Sequence, residues 1–209
     1  MDILPKSLTS RFPIWTGLIL GLSLISYALP QVSSALIYDR AALFKGEIWR
    51  LFTSHLVHFT PLHLFYNLIA FGIAGWIIEY RGYQHFVPLC LLMAFFISVS
   101  LMVMKPGMIY YGGLSGLASG AIYYLALFGL RESPPWRLVC VLTLFFVPIK
   151  ILLELEMNQS LFAYSEPFTI MPISHIIGCL VALVLFLVYS ARRINGTFFY
   201  CKGFWGQQK

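Results

Sequence analysis

The chain has 209 residues, 59% hydrophobic and only 11% charged, with 14 basic and 8 acidic side chains and a formal net charge of +6. Soluble domains are roughly 45–50% apolar and about 25% charged, so this composition excludes an ordinary water-soluble fold and points to the bilayer. The positive balance does not indicate a nucleic-acid partner, because Lys and Arg stand singly between hydrophobic segments and form no basic face.

Windows of high hydropathy fall at about 14–37, 61–80, 86–104, 113–130, 137–155 and 172–191, each near the ~20 residues that cross a hydrocarbon core. None shows period-two alternation, which selects helices over barrel strands. The expectation is an all-α membrane protein: a short N-terminal segment (1–13), a six-transmembrane-helix bundle over 14–191, and an aromatic and basic tail (192–209) that suggests an interfacial anchor. The first window is too long for a signal-peptide core, is interrupted by Pro30 and precedes no small-residue cleavage site, so it is expected to stay.

Nine positive side chains fall on the side of the two termini (Lys6, Arg11, Arg81, Arg131, Arg137, Arg192, Arg193, Lys202, Lys209), against Arg40, Lys45, Arg50 and Lys105 on the other. The excess places both termini in the cytoplasm. Lys150 and Glu154, within the fifth window, do not enter that count. In this topology the second, fourth and sixth windows all start on the non-cytoplasmic side, and polar residues in their first turns share one depth. The link from Ile37 to Thr60 reads equally well as a solvated loop or as a partly buried interfacial element. Cys90, Cys140, Cys179 and Cys201 have no C-x-x-C spacing and indicate neither a disulfide framework nor a metal site.

Polar residues inside a membrane are costly, so each is a functional hypothesis. Ser115 lies in the run Gly112 to Gly120 at the start of the fourth window, and His175 in Ser174-His175-Ile176-Ile177-Gly178 at the start of the sixth. A serine hydroxyl attacks only when a base within hydrogen-bond reach takes its proton, and a neutral imidazole suits that task. Gly112, Gly116 and Gly120 recur every four positions, as do Gly178 and Ala182, and such small-residue faces let helices touch in lipid. Each feature alone has a plainer reading, as helix packing or a structural histidine. Two complementary partners at one depth, on complementary small faces, favour chemistry.

A third group precedes and opens the second window. His63 and Asn67 are four apart and share a helical face. An imidazole N–H, a carboxamide and the Ser115 backbone N–H are the kind of donors that a tetrahedral oxyanion needs. His58 reads more readily as a loop-fixing residue than as a substrate contact. Metal chemistry is not expected: H-E-x-x-H is absent, no acidic residue lies between 48 and 78, and His55, His58 and His63 do not share one helical face. No cofactor is expected either. Paired intramembrane aspartates are missing, since Asp2 and Asp39 both lie outside the windows.

The run from Glu47 to Glu79, the Gly-x-Ser-Gly motif at Gly113 to Gly116 and the His-x-x-Gly motif at His175 to Gly178, in this order, resemble the rhomboid family of intramembrane serine proteases. The resemblance implies Ser115 as nucleophile and His175 as general base, with His63 and Asn67 as oxyanion donors beside Gly113. It implies structural support from Glu47, Trp49, Arg50, His58, Gly116 and Gly178. It further implies transmembrane protein substrates cleaved near the non-cytoplasmic face, a surround of membrane lipid, and residence in a bacterial inner membrane; the oligomeric state is left open. The short N-terminus also resembles the rhombosortase branch, whose substrates carry a C-terminal Gly-Gly motif, helix and basic tail. A catalytically inactive rhomboid-like protein that binds membrane clients is the alternative. One departure matters: bacterial rhomboids often carry a tyrosine four residues after the nucleophile, stacked on the base, where this chain has Ser119. Tyr110, Tyr111 or Phe65 is expected to orient His175 instead.

Overall fold

The structure, a computed structural model, describes residues 12–157 and 171–204, of which 192–204 are described by their backbone alone. Two helices open it, α1 (Ile14–Ala28) and α2 (Pro30–Leu36), bent by 115° at Leu29. The single span expected over 14–37 is therefore broken. Proline has no N–H to donate and disfavours helical torsions in the residue before it, and Leu29 accordingly turns extended, at φ −118°, while Pro30 opens α2.

A two-residue strand β1 (Tyr38–Asp39) follows, then α3 (Arg40–Phe44), whose first amides at Ala41 and Ala42 donate to the Asp39 carboxylate at 2.9 and 3.1 Å. Beyond it lie α4 (Arg50–Thr53) and a 3₁₀ turn (Ser54–Leu56). The 37–60 link is thus a structured element, helical over three short stretches, rather than a solvated loop. Arg50 holds it together: its guanidinium pairs with Glu47 at 2.7 Å and donates to the carbonyls of Ser34 and Ile37 at 2.9 and 2.7 Å. Trp49 Nε1 donates to Ala35 O and Thr53 Oγ1 to Leu36 O. These donors satisfy the carbonyls that the end of a helix leaves unpaired. Phe44, Ile48 and Trp49 remain exposed, as an element lying in the membrane interface requires.

The long helices are α5 (Pro61–Tyr80), α6 (Phe86–Met104), α8 (Trp136–Met157) and α9 (Pro172–Phe204). Between α6 and α8 come a second short strand, β2 (Tyr110–Tyr111), paired antiparallel with β1, and α7 (Ser115–Gly129). Thr60 and Pro61 start α5 sharply: the Thr60 hydroxyl accepts from the His63 amide at 3.1 Å, and Pro61 occupies a position where a missing N–H costs nothing. The α9 backbone stays helical past the expected boundary at 191, and no proline follows Pro172 to stop it. The anchoring role expected of 192–209, and the 1–11 part of the N-terminal segment, lie outside the residues whose side chains are described.

Among the described residues, α5, α6, α8 and α9 as far as Ala191 are long and apolar enough to cross a bilayer, and α1 with α2 would make a fifth crossing if taken as one bent span. The helix α7 has only 15 residues, about 22 Å at 1.5 Å per residue. Enclosed by α5, α6, α8 and α9, it is buried almost throughout and has little need to match the thickness of the lipid. Irregular backbone at membrane depth is tolerated when it is wrapped in protein, and the segment 112–114 leads directly into the first residue of α7, Ser115. Gly112 lies so close to the 54–58 turn that a Cβ there would come within 3.0 Å of Val57 O.

The α7–α9 contact is made by backbone against backbone. A Cβ on Gly178 would overlap the Gly116 carbonyl oxygen, one on Gly120 would sit 2.6 Å from Gly178 O, and one on Gly116 would sit 3.0 Å from Ser174 O. On the far side of α5, the Glu79 carboxylate caps α1, accepting from the amides of Trp15 and Thr16 at 3.1 and 2.6 Å. An acid there complements the positive end of the helix.

Candidate active site

A cavity of about 820 Å³ opens between α5, α7, α8 and α9, beneath the loop that carries β2. Its wall includes Ser115 from the first turn of α7, His175 from the first turns of α9, and His63 and Asn67 from α5. Three elements distant in sequence thus deliver to one space the residues that the motifs single out.

Gly113 has φ 137°, a torsion that side chains rarely adopt, and a Cβ there would press within 2.8 Å of the His63 ring. Only glycine fits on both counts. Its amide donates to Ser54 O at 3.3 Å. His58 clamps the same stretch: Nδ1 faces the Leu56 carbonyl at 3.2 Å, which fixes the proton there, and Nε2 accepts from the Leu114 amide at 3.4 Å. Burial, with the neighbouring His63 adding repulsion, pushes the His58 pKa down to about 3, so it remains neutral and keeps that acceptor. His55 bonds through Nε2 to Ala94 O and Ser98 Oγ on α6 at 3.1 and 3.2 Å, and burial pushes its pKa down to about 4. Glu47, Trp49 and Arg50 stand away from the cavity and act on the loop that frames it.

Asn67 is buried, and its carboxamide Nδ2 has no hydrogen-bond partner among the described residues. A buried donor left unpaired costs roughly 1–3 kcal/mol, and in this wall it is a donor available to whatever fills the space. The helix start adds more of the same: the Ser115, Gly116 and Leu117 amides precede the first intrahelical bond of α7, made by Ala118 to Leu114 O.

His175 is buried, and its Nδ1 faces Glu154 Oε2 on α8 at 3.2 Å. A carboxylate only accepts, so the proton sits on Nδ1 and the lone pair on Nε2. Lys150, one turn earlier on α8, pairs with the same oxygen at 2.7 Å. Of the aromatic residues expected to orient the ring, Tyr110 and Tyr111 line the same cavity, but the polar contact of His175 is with Glu154. Tyr111 packs edge-on against His55, and Phe65 against Tyr66, because β2 and the outer face of α5 point those rings elsewhere. The sequence contained the signal for Glu154: two opposite charges four apart, Lys150 and Glu154, interrupt the long apolar run of α8, and such charges are rarely incidental. Ser119 lines the same cavity.

The profile of the Rhomboid domain matches residues 45–192, well over half of the chain. The chain belongs to the rhomboid family. With that membership and, among the described residues, four to five apolar helices of spanning length, it is a multi-pass integral membrane protein. Rhomboids are generally intramembrane serine proteases acting on transmembrane substrates. No protein of curated function matches this chain.

Proposed function

We propose that this rhomboid is an intramembrane serine endopeptidase in which Ser115 is the nucleophile and His175 the general base. The observation that carries the reading is that both side chains line one cavity whose wall also holds Asn67, with a carboxamide Nδ2 that has no partner among the described residues. His175 Nε2, bearing the lone pair, takes the hydroxyl proton as Ser115 Oγ attacks the scissile carbonyl. The developing oxyanion is met by Asn67 Nδ2, the Ser115 amide and the His63 ring, with Gly113 leaving room for it; donors placed where charge develops act strongly in a water-poor site. The imidazolium then protonates the leaving amine, and water enters to release the acyl group by the reverse use of the same groups.

A transmembrane helix hides its carbonyls in i→i−4 bonds, so the substrate must unwind locally. Glycine costs a helix about 1 kcal/mol and proline about 3 relative to alanine, which favours substrates with small or helix-breaking residues near the cut. The excess of positive charge beside the two termini supports reading both as cytoplasmic, with the cavity opening toward the non-cytoplasmic side of a bacterial inner membrane. Substrates of the rhombosortase type, with a C-terminal Gly-Gly signal, are included in this reading because glycines at the cut are easily unwound.

The test is cleavage of a transmembrane test substrate by the purified protein in detergent. Turnover by the unaltered chain, abolished in Ser115→Ala and in His175→Ala, is expected. Turnover retained in either variant rejects the assignment, and none in the unaltered chain across substrates of both kinds favours a client-binding role.

A further inference from the structure

The base of a Ser–His pair needs its proton on the right nitrogen. In a two-residue arrangement nothing but packing secures that, yet here His175 meets a carboxylate. Glu154 is 1% exposed, reaches into the cavity from α8, and accepts from His175 Nδ1 at 3.2 Å. Burying a lone carboxylate costs several kcal/mol, and Lys150 Nζ at 2.7 Å supplies the compensating charge from the same helix. A buried charge pair of this kind is weak evidence of stability gain, because desolvation offsets attraction. Its placement on the ring nitrogen opposite the reacting one gives it a different use.

We propose that Glu154 is a positioning residue for His175, making the centre a Ser–His–Glu relay with Lys150 as its counter-ion; this rests on the protease reading above. The carboxylate holds the Nδ1–H tautomer, aims Nε2 at Ser115 Oγ, and stabilises the imidazolium that forms when the hydroxyl proton arrives. The carboxylate itself gains no proton. It takes over the orienting task that a stacked aromatic ring would perform, at a position where Ser119 offers none.

The experiment compares the full-length unaltered protein with Glu154→Gln and Glu154→Asp. Kinetics on a transmembrane test substrate are measured alongside the ¹⁵N signals of His175 in selectively labelled protein. Glu154→Gln keeps the shape but lets an amide donate to Nδ1, and kcat is expected to fall on the order of a hundredfold or more, as when a triad carboxylate becomes an amide elsewhere. KM should stay within about threefold, since the group does not touch substrate, and Glu154→Asp should recover part of the loss. The unaltered protein should give a protonated Nδ1 and a bare Nε2, and Glu154→Gln a mixture. Ser115-dependent turnover with an unchanged kcat in Glu154→Gln overturns this inference and leaves the protease reading standing. If Glu154→Gln fails to fold, the tautomer of the unaltered protein decides: a proton on Nε2 overturns it. No Ser115-dependent turnover in the unaltered protein overturns both.

Discussion

Replacing Gly178 with alanine should separate activity from stability, because it forces apart the two helices that carry Ser115 and His175. The added methyl would overlap the Gly116 carbonyl oxygen and sit 3.2 Å from its carbonyl carbon and 3.4 Å from the Gly120 nitrogen. The reciprocal change, Gly120→Ala, brings a methyl to 2.6 Å from Gly178 O, where a relaxed C···O contact is roughly 3.3 Å. The Gly178 methyl overlaps more deeply than that, so the helices must part by about 1 Å, and since the obstacle is backbone, no rotamer relieves it. Overpacking of this kind costs about 1–3 kcal/mol, and the better helix propensity of alanine offsets about 1 of that. The net loss of stability is thus modest. Catalysis is less forgiving: a displacement of ~1 Å at reacting groups can cost on the order of a hundredfold. Gly178→Ala is expected to melt within a few degrees of the unaltered protein while kcat drops about 10- to 100-fold with little change in KM. Turnover of a transmembrane substrate and Tm, measured in the same detergent, check it. A folded Gly178→Ala protein with kcat within about twofold of the unaltered chain refutes the claim that this contact sets the pairing.

Other outcomes follow from the same geometry. Asn67→Ala removes the unpartnered donor, so kcat should fall by roughly 10²–10³ without loss of Tm; an unchanged kcat contradicts its role. Arg50→Ala leaves Glu47 and the carbonyls of Ser34 and Ile37 unpaired and should lower Tm by several degrees, with Arg50→Lys failing to restore it because an ammonium cannot span the same fork; equal Tm values in all three proteins would contradict this. His55 and His58 are held neutral in the fold, at about 4 and about 3 against 6.5 when unfolded. The unfolded chain thus binds more protons below pH 6.5, so their contribution is complete above that value and is lost as pH falls toward 4 and 3, by roughly 1.4 kcal/mol per pH unit for each. Tm should decline from pH 6.5 to 4.5, and a flat profile contradicts the burial argument.

What the sequence made legible was local chemistry. Thr60-Pro61 announces the start of α5 because cap and proline act on their own backbone, and the glycine spacing at 112, 116, 120 and 178 announces a close helix contact, although only the structure says which carbonyl each methyl would strike. Hydropathy alone merged α1 with α2, since a window average is blind to the torsions Pro30 imposes on Leu29. The order of the 37–60 link was hidden because the Arg50 bonds go to carbonyls 13 and 16 residues away. Glu154 was visible as a charge in an apolar helix, but its partner on α9 lies 21 residues on, beyond the reach of any helical spacing rule.

Proteolysis here requires that the Ser115 hydroxyl be activated by His175. Treating the purified protein with a fluorophosphonate probe and mapping the adduct by mass spectrometry tests this directly. Labelling confined to Ser115, and lost in His175→Ala, is the predicted result. Absence of an adduct, or labelling at Ser115 that persists without the imidazole, contradicts it.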